Sequence, residues 1–181
     1  MTAVARVTAL TLLLLIIAIP AHAAEMTMSL DNVTVNTCDT SWTEGSCELT
    51  VVDTSVEDFL PGFCSWLPLA EELALTGARL VIDVSALDGV DWIEVDVTEF
   101  SGHGHTRLFA YEEGSNVLVN FVMSFYDGSE TFQTLMMDVA GWKLGTIAVS
   151  AQGARVSEVR LSGFSLVSTE YSSWTVMKSR W

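Results

Sequence analysis

The chain has 181 residues, 50% of them hydrophobic, with only 3 Pro and 12 Gly. That is enough apolar material to close a core, and it excludes a disordered or collagen-like chain. A formal charge of −15, from 8 basic and 23 acidic residues, repels phosphate backbones and argues against nucleic acid as a partner.

Arg6 is the only charge before Glu25, the stretch 7–19 is almost wholly apolar, and Pro20 precedes Ala21-His22-Ala23, a small-x-small cleavage site. Residues 1–23 are therefore expected to be a signal peptide, leaving 24–181 as a single β-sandwich domain of a secreted or periplasmic protein. The apolar run falls short of the roughly 20 residues that span a bilayer. No later segment is a transmembrane helix candidate, because Asp83, Asp88, Asp91 and Glu94 interrupt the next apolar stretch.

Beyond the signal, strand follows strand. Residues 26–30, 33–35 and 49–52 are the first three. Between them, Thr40, Ser41, Thr43, Gly45 and Ser46 make a polar loop, and a Cys38–Cys47 disulfide across it is expected in an oxidising compartment. Cys64, between Phe63 and Trp66, is expected as a free buried thiol. Residues 67–76, rich in Leu, Ala and Glu, are the one helix-compatible piece, a crossover helix or long loop. Strands resume at 79–84, 91–97, 106–111, 117–124, 131–139, 146–150 and 156–164, separated by turn formers such as Asp88-Gly89, Asp127-Gly128 and Gln152-Gly153. About ten short strands in one domain predict an all-β fold, an antiparallel jelly-roll-like β-sandwich.

Six tryptophans stand at 42, 66, 92, 142, 174 and 181. Exposed aromatic rings are how a secreted sandwich holds sugars, and Trp92, on one strand face with Glu94 and Asp96, is the ligand-binding candidate. Trp66 and Trp142 lie in apolar surroundings and are expected to be buried. His103-Gly104-His105 could present two imidazoles to a metal, with Glu99 as third ligand, or be a hairpin tip. No metal site is assigned and no cofactor is expected. A structural calcium ion suits the acidic composition, yet no EF-hand or other calcium spacing occurs.

The run Trp92-Ile93-Glu94-Val95-Asp96-Val97-Thr98-Glu99-Phe100 resembles the active-site strand of laminarinase- and lichenase-type retaining β-glucanases, Glu-aliphatic-Asp-aliphatic-hydrophobic-Glu on a bent jelly-roll strand. The resemblance implies Glu94 as nucleophile, Asp96 as modulator and Glu99 as acid/base, brought to one face by a bulge. Retaining chemistry needs two carboxyls about 5 Å apart. Without the bulge, Glu94 and Asp96 are the solvated side of an alternating strand.

Residues 80–164 carry a wider likeness. LVIDVSALDGVDWIEVDV, Gly102-His103-Gly104, TRLFAYEEGSNVL and VSEVRLSGF, in that order, resemble small exported bacterial β-sandwiches of the galactose-binding, carbohydrate-binding-module type. The expectation is an exported, non-catalytic binding or surface-associated module for carbohydrate or another cell-surface component. Its rivals are a glucanase-like hydrolase using Glu94, Asp96 and Glu99, and a small outer-membrane β-barrel suggested by the terminal Trp181.

Overall fold

The computed structural model describes residues 24–30, 37–54, 63–67, 71–100, 105–125 and 128–166. They form strands β1 (Ala24–Met28), β2 (Thr40–Glu44), β3 (Cys47–Asp53), β4 (Phe63–Leu67), β5 (Glu72–Thr76), β6 (Ala78–Asp83), β7 (Leu87–Asp88), β8 (Trp92–Glu99), β9 (Arg107–Glu112), β10 (Leu118–Met123), β11 (Thr131–Asp138), β12 (Leu144–Ala151) and β13 (Ala154–Leu166). The signal segment, the strand expected at 33–35, His103, Trp174 and Trp181 lie outside the described residues.

All pairings are antiparallel. A seven-stranded sheet runs β11-β8-β13-β5-β4, with β1 and β7 also on β13, and a six-stranded sheet runs β10-β9-β12-β6-β3-β2. From β8 onward the chain crosses between the sheets at all but one connection, the jelly-roll-like habit the spacing of strands predicts. Period-two alternation sends Leu49 and Val51, Leu80 and Ile82, Ile93, Val95 and Val97, Leu108 and Ala110, Val159 and Leu161 into one shared core, all essentially inaccessible. Each such Leu, Ile or Val contributes about 1.5–3 kcal/mol by leaving water. Because the described strands make two facing sheets around an apolar interior, they do not close into the outer-membrane barrel.

Three expectations are corrected. The described part of the helix-compatible piece is strand, Leu67 ending β4 and Glu72–Thr76 forming β5. Leu73, Ala74 and Leu75 are buried in succession, the pattern of a strand covered on both faces, which periodicity does not separate from a buried helix. β2, predicted as polar loop, pairs with β3 through the two-residue turn Gly45-Ser46, where Gly45 adopts φ 58°.

That hairpin also overturns the Cys38–Cys47 pairing. Glu44 faces Cys47 at the turn while the ladder runs back to Thr40 opposite Val51, so Cys38 lies beyond the far end of the hairpin, more than about 13 Å from Cys47 at strand rise. Cys38 bonds Cys64 instead, with Cα atoms 5.1 Å apart. Cys64 is thus not free. Cys47 is the free thiol, fully buried, and burial together with the neighbouring Asp83 pushes its pKa up to about 11.

Candidate functional site

On the outer face of the seven-stranded sheet, β8 presents Trp92, Glu94, Asp96 and Thr98 between β11 and β13. Trp92 is 43% exposed, in register with Asp138 and Ser162. Glu94 and Asp96 are not free carboxylates. The Arg160 guanidinium, one strand over, donates from Nε to Glu94 at 2.9 Å, from two nitrogens to Asp96 at 2.8 and 3.1 Å, and to Glu158. Thr134 donates to Asp96 at 2.7 Å. Burial alone would raise the Asp96 pKa, but the Arg160 and Thr134 hydrogen bonds and the arginine's charge hold it below its ordinary value. The same partners, Asp96 first, push Arg160 upward.

Glu99 is elsewhere. β8 pairs with β11 residue for residue from Trp92 to Glu99, so no bulge shifts it, and Glu99 points inward, fully buried. Its Oε1 accepts the Thr106 N–H at 2.7 Å and the Ser124 hydroxyl. Glu94, Asp96 and Glu99 therefore do not assemble the glucanase arrangement that the resemblance implied. Glu99 is also occupied as a clamp on Thr106, the residue after the half-buried His105. Among the described residues no group of three or more His, Cys, Asp or Glu is placed to hold a metal ion.

The opposite face of the sandwich carries an aromatic cluster. Along β9, Leu108 and Ala110 fill the core while Arg107, Phe109 and Tyr111 point outward. Phe121 on β10 stands opposite Phe109. The Phe109 ring stacks on Tyr111 at 6.2 Å and on Phe121 at 6.4 Å between centroids, both at 29°, and Phe121 is 56% exposed. The result is an L-shaped platform of three rings on an open sheet. Next to it β12 offers only Thr146, Ala148 and Ser150. These small side chains let Arg79, on β6, reach across until its guanidinium carbon lies 5.9 Å from the centre of the Phe109 ring. Beyond β12 the face continues with Val81 and Thr50 and reaches Asp83 and Glu48.

At the Arg79 end lies a cavity of about 260 Å³, lined among others by Arg79, His105, Arg107, Phe109 and Ser150. The other notable hollow, about 190 Å³, sits beside Glu25, Glu94 and Arg160 on the acidic face. The signal for the platform was the alternation Arg107, Phe109, Tyr111 against Leu108 and Ala110, which puts two aromatics on the side that should be polar. Trp142, expected in the core, is 48% exposed, because it follows the turn after β11 and its N–H bonds back to Val139. The side chain of Trp66 is outside what the structure describes.

No family model and no curated protein matches this chain. Solved structures similar to it include carbohydrate-binding modules. One is a family 29 module, a mutant complexed with mannohexaose, at 11% identity and a TM-score of 0.48, covering 79% of this chain and 94% of that one. Another family 29 module, from Piromyces equi, gives 12% identity and a TM-score of 0.48 over 78% and 91%. A module from Cellvibrio mixtus lichenase 5A, in complex with cellotriose, gives 16% and 0.35 over 77% and 95%.

Proposed function

We propose that the protein is an exported, non-catalytic carbohydrate-binding module whose ligand lies on the outer face of the six-stranded sheet. The observation that carries this reading is the platform of Phe109, Tyr111 and Phe121. A pyranose ring presents apolar C–H groups on its faces and hydroxyls around its rim. Adjacent, partly exposed aromatic rings accept the first, and the surrounding Arg79, Arg107, Thr50 and Asp83 can bond the second. An acid locked onto an arginine is a poor nucleophile, and a buried acid cannot reach a glycosidic oxygen. Neither Glu94 and Asp96 nor Glu99 therefore favours turnover.

A glycan array followed by calorimetry tests the reading, with a reducing-sugar assay on mixed-linkage β-glucan run alongside. Phe109→Ala and Phe121→Ala each remove a stacking surface worth about 1–1.5 kcal/mol and should weaken binding roughly tenfold. Trp92→Ala, on the opposite face, should leave affinity unchanged. Loss of binding on Trp92→Ala alone would move the ligand to the acidic face, and turnover abolished by Glu94→Gln would establish a hydrolase.

A further inference from the structure

The protein is strongly acidic, so where its cations go is informative. Among the described residues, Lys143 pairs with Glu113, Arg155 with Glu72 and Glu130, and Arg160 with Glu94, Asp96 and Glu158. Arg79 and Arg107 pair with no described carboxylate. Both line the same cavity at the end of the aromatic platform. They sit on β6 and β9 in one row, Arg107 opposite Ser150 and Ser150 opposite Arg79, so two strand spacings of about 4.8 Å separate them. Arg79 Nε and His105 Nδ1 are buried with no described hydrogen-bond partner. The described residues lining this cavity include no Asp or Glu. Glu99 lies on the interior side, where it clamps Thr106 and so fixes the start of the segment carrying His105 and Arg107.

In a protein of charge −15, two guanidiniums without a described carboxylate partner, one of them over the Phe109 ring, gather positive charge at one end of the platform. We propose that this cavity receives an anionic substituent of the bound sugar, a carboxylate or a sulfate ester, so that the module is selective for acidic polysaccharide. The proposal rests on the carbohydrate reading of this face and adds the ligand's charge to it. Two planar forks about 10 Å apart at Cα, with Ser150 between them, match an oxyanion held from both sides. The Phe109 ring, shared by the platform and Arg79, places that anion at the end of the stacked sugars. The overall negative charge sharpens selectivity, since a polyanion gains nothing from the rest of the surface and must be held locally.

The experiment is calorimetric titration of the full exported chain with oligosaccharides matched in length: a neutral β-glucan, a uronate oligomer and a sulfated galactan oligomer. Polyglutamate serves as a polyanion without sugar. One or both acidic sugars should bind at least roughly tenfold more tightly than the neutral one, and which of them does so identifies carboxylate or sulfate. Arg79→Gln and Arg107→Gln should each bring the acidic-to-neutral ratio toward one, whereas Phe121→Ala should weaken both classes and preserve the ratio. Chemical shifts of the arginine side-chain N–H groups on adding inorganic sulfate read the same site in a folded protein, independently of sugar. Equal affinity for neutral and acidic sugars, or a ratio untouched by the two arginine variants, overturns the proposal while leaving the carbohydrate reading in place. Equal binding of polyglutamate overturns it in favour of charge alone. Binding of no glycan at all removes the carbohydrate reading and the proposal with it.

Discussion

Arg160 faces three carboxylates on one strand pair, and its removal shows what an ionic cluster is worth on a half-exposed sheet. Arg160→Gln leaves Glu94, Asp96 and Glu158 repelling one another. Solvent screening limits the cost, and we expect about 1–2 kcal/mol at neutral pH. The pH dependence follows from Asp96. Its folded pKa is depressed, so its contribution is present above the unfolded value and is lost as pH falls through the folded one. Urea denaturation should therefore show a gap between wild type and Arg160→Gln at pH 7 that shrinks as the medium is taken well below pH 4. A gap of the same size at both pH values would mean that Arg160 acts by packing its stem rather than by charge.

At the scale of the element, β13 does the most. Its first part lies between β8 and β5, it then continues beside β1, and its end reaches β7. Leaving β8 for β7 requires a bend, and Gly163 supplies it at φ 82°. A Cβ at this position would lie 2.6 Å from Cγ of Asp91. Asp91 is itself a pivot, since its N–H bonds Ser162 and its carbonyl accepts from Val139, both at 2.9 Å. Gly163→Ala thus combines left-handed backbone strain with a clash against a fixed neighbour. It should destabilise by about 2–4 kcal/mol, read as a fall in Tm of roughly 4–16 °C. Gly114, in the turn after β9, has positive φ but open space around it, so Gly114→Ala should cost only the backbone part. Equal losses at the two sites would show that the Asp91 contact carries no cost.

For the whole molecule, the two outer faces have opposite characters. One is an acidic lattice closed on Arg160, the other an aromatic platform ending at two arginines without described carboxylate partners. The Cys38–Cys64 disulfide ties the sheets together, joining the segment before β2 in the six-stranded sheet to β4 in the seven-stranded one. With its ends 26 positions apart in sequence, the chain-entropy model gives it about 3.5 kcal/mol. An unreduced digest should yield the Cys38 and Cys64 peptides joined, and Cys47 should resist alkylation at pH 8 until the protein is unfolded, since its thiol is buried and its pKa is near 11. Cys64→Ser should lower Tm by more than Cys47→Ala. A Cys47-containing bridge, or rapid labelling of the folded protein, would contradict this arrangement.

The class of fold was legible because alternation is local: Ile93, Val95 and Val97 against Glu94 and Asp96 declare a strand with a dry and a wet side whatever its partners are. The same locality explains the errors. Leu73 to Leu75 sit under cover on both faces, so no wet side marked them as strand. The disulfide depended on which strand end lies beside Cys38, and the two-residue turn at Gly45 moved Cys47 out of reach. Glu99 follows Asp96 by an odd number of residues, so only the absence of a bulge on β8 decided that it is buried away from Glu94. The platform needed tertiary pairing most of all. Phe109 and Tyr111 stand two apart on one strand, but Phe121 joins them only through the β9–β10 register, and Arg79 reaches them across β12. By itself the sequence determined which residues alternate and how acidic the surface is. Sheet register decided which of them meet, because pairing between strands depends on contacts far apart in the chain that no local pattern encodes.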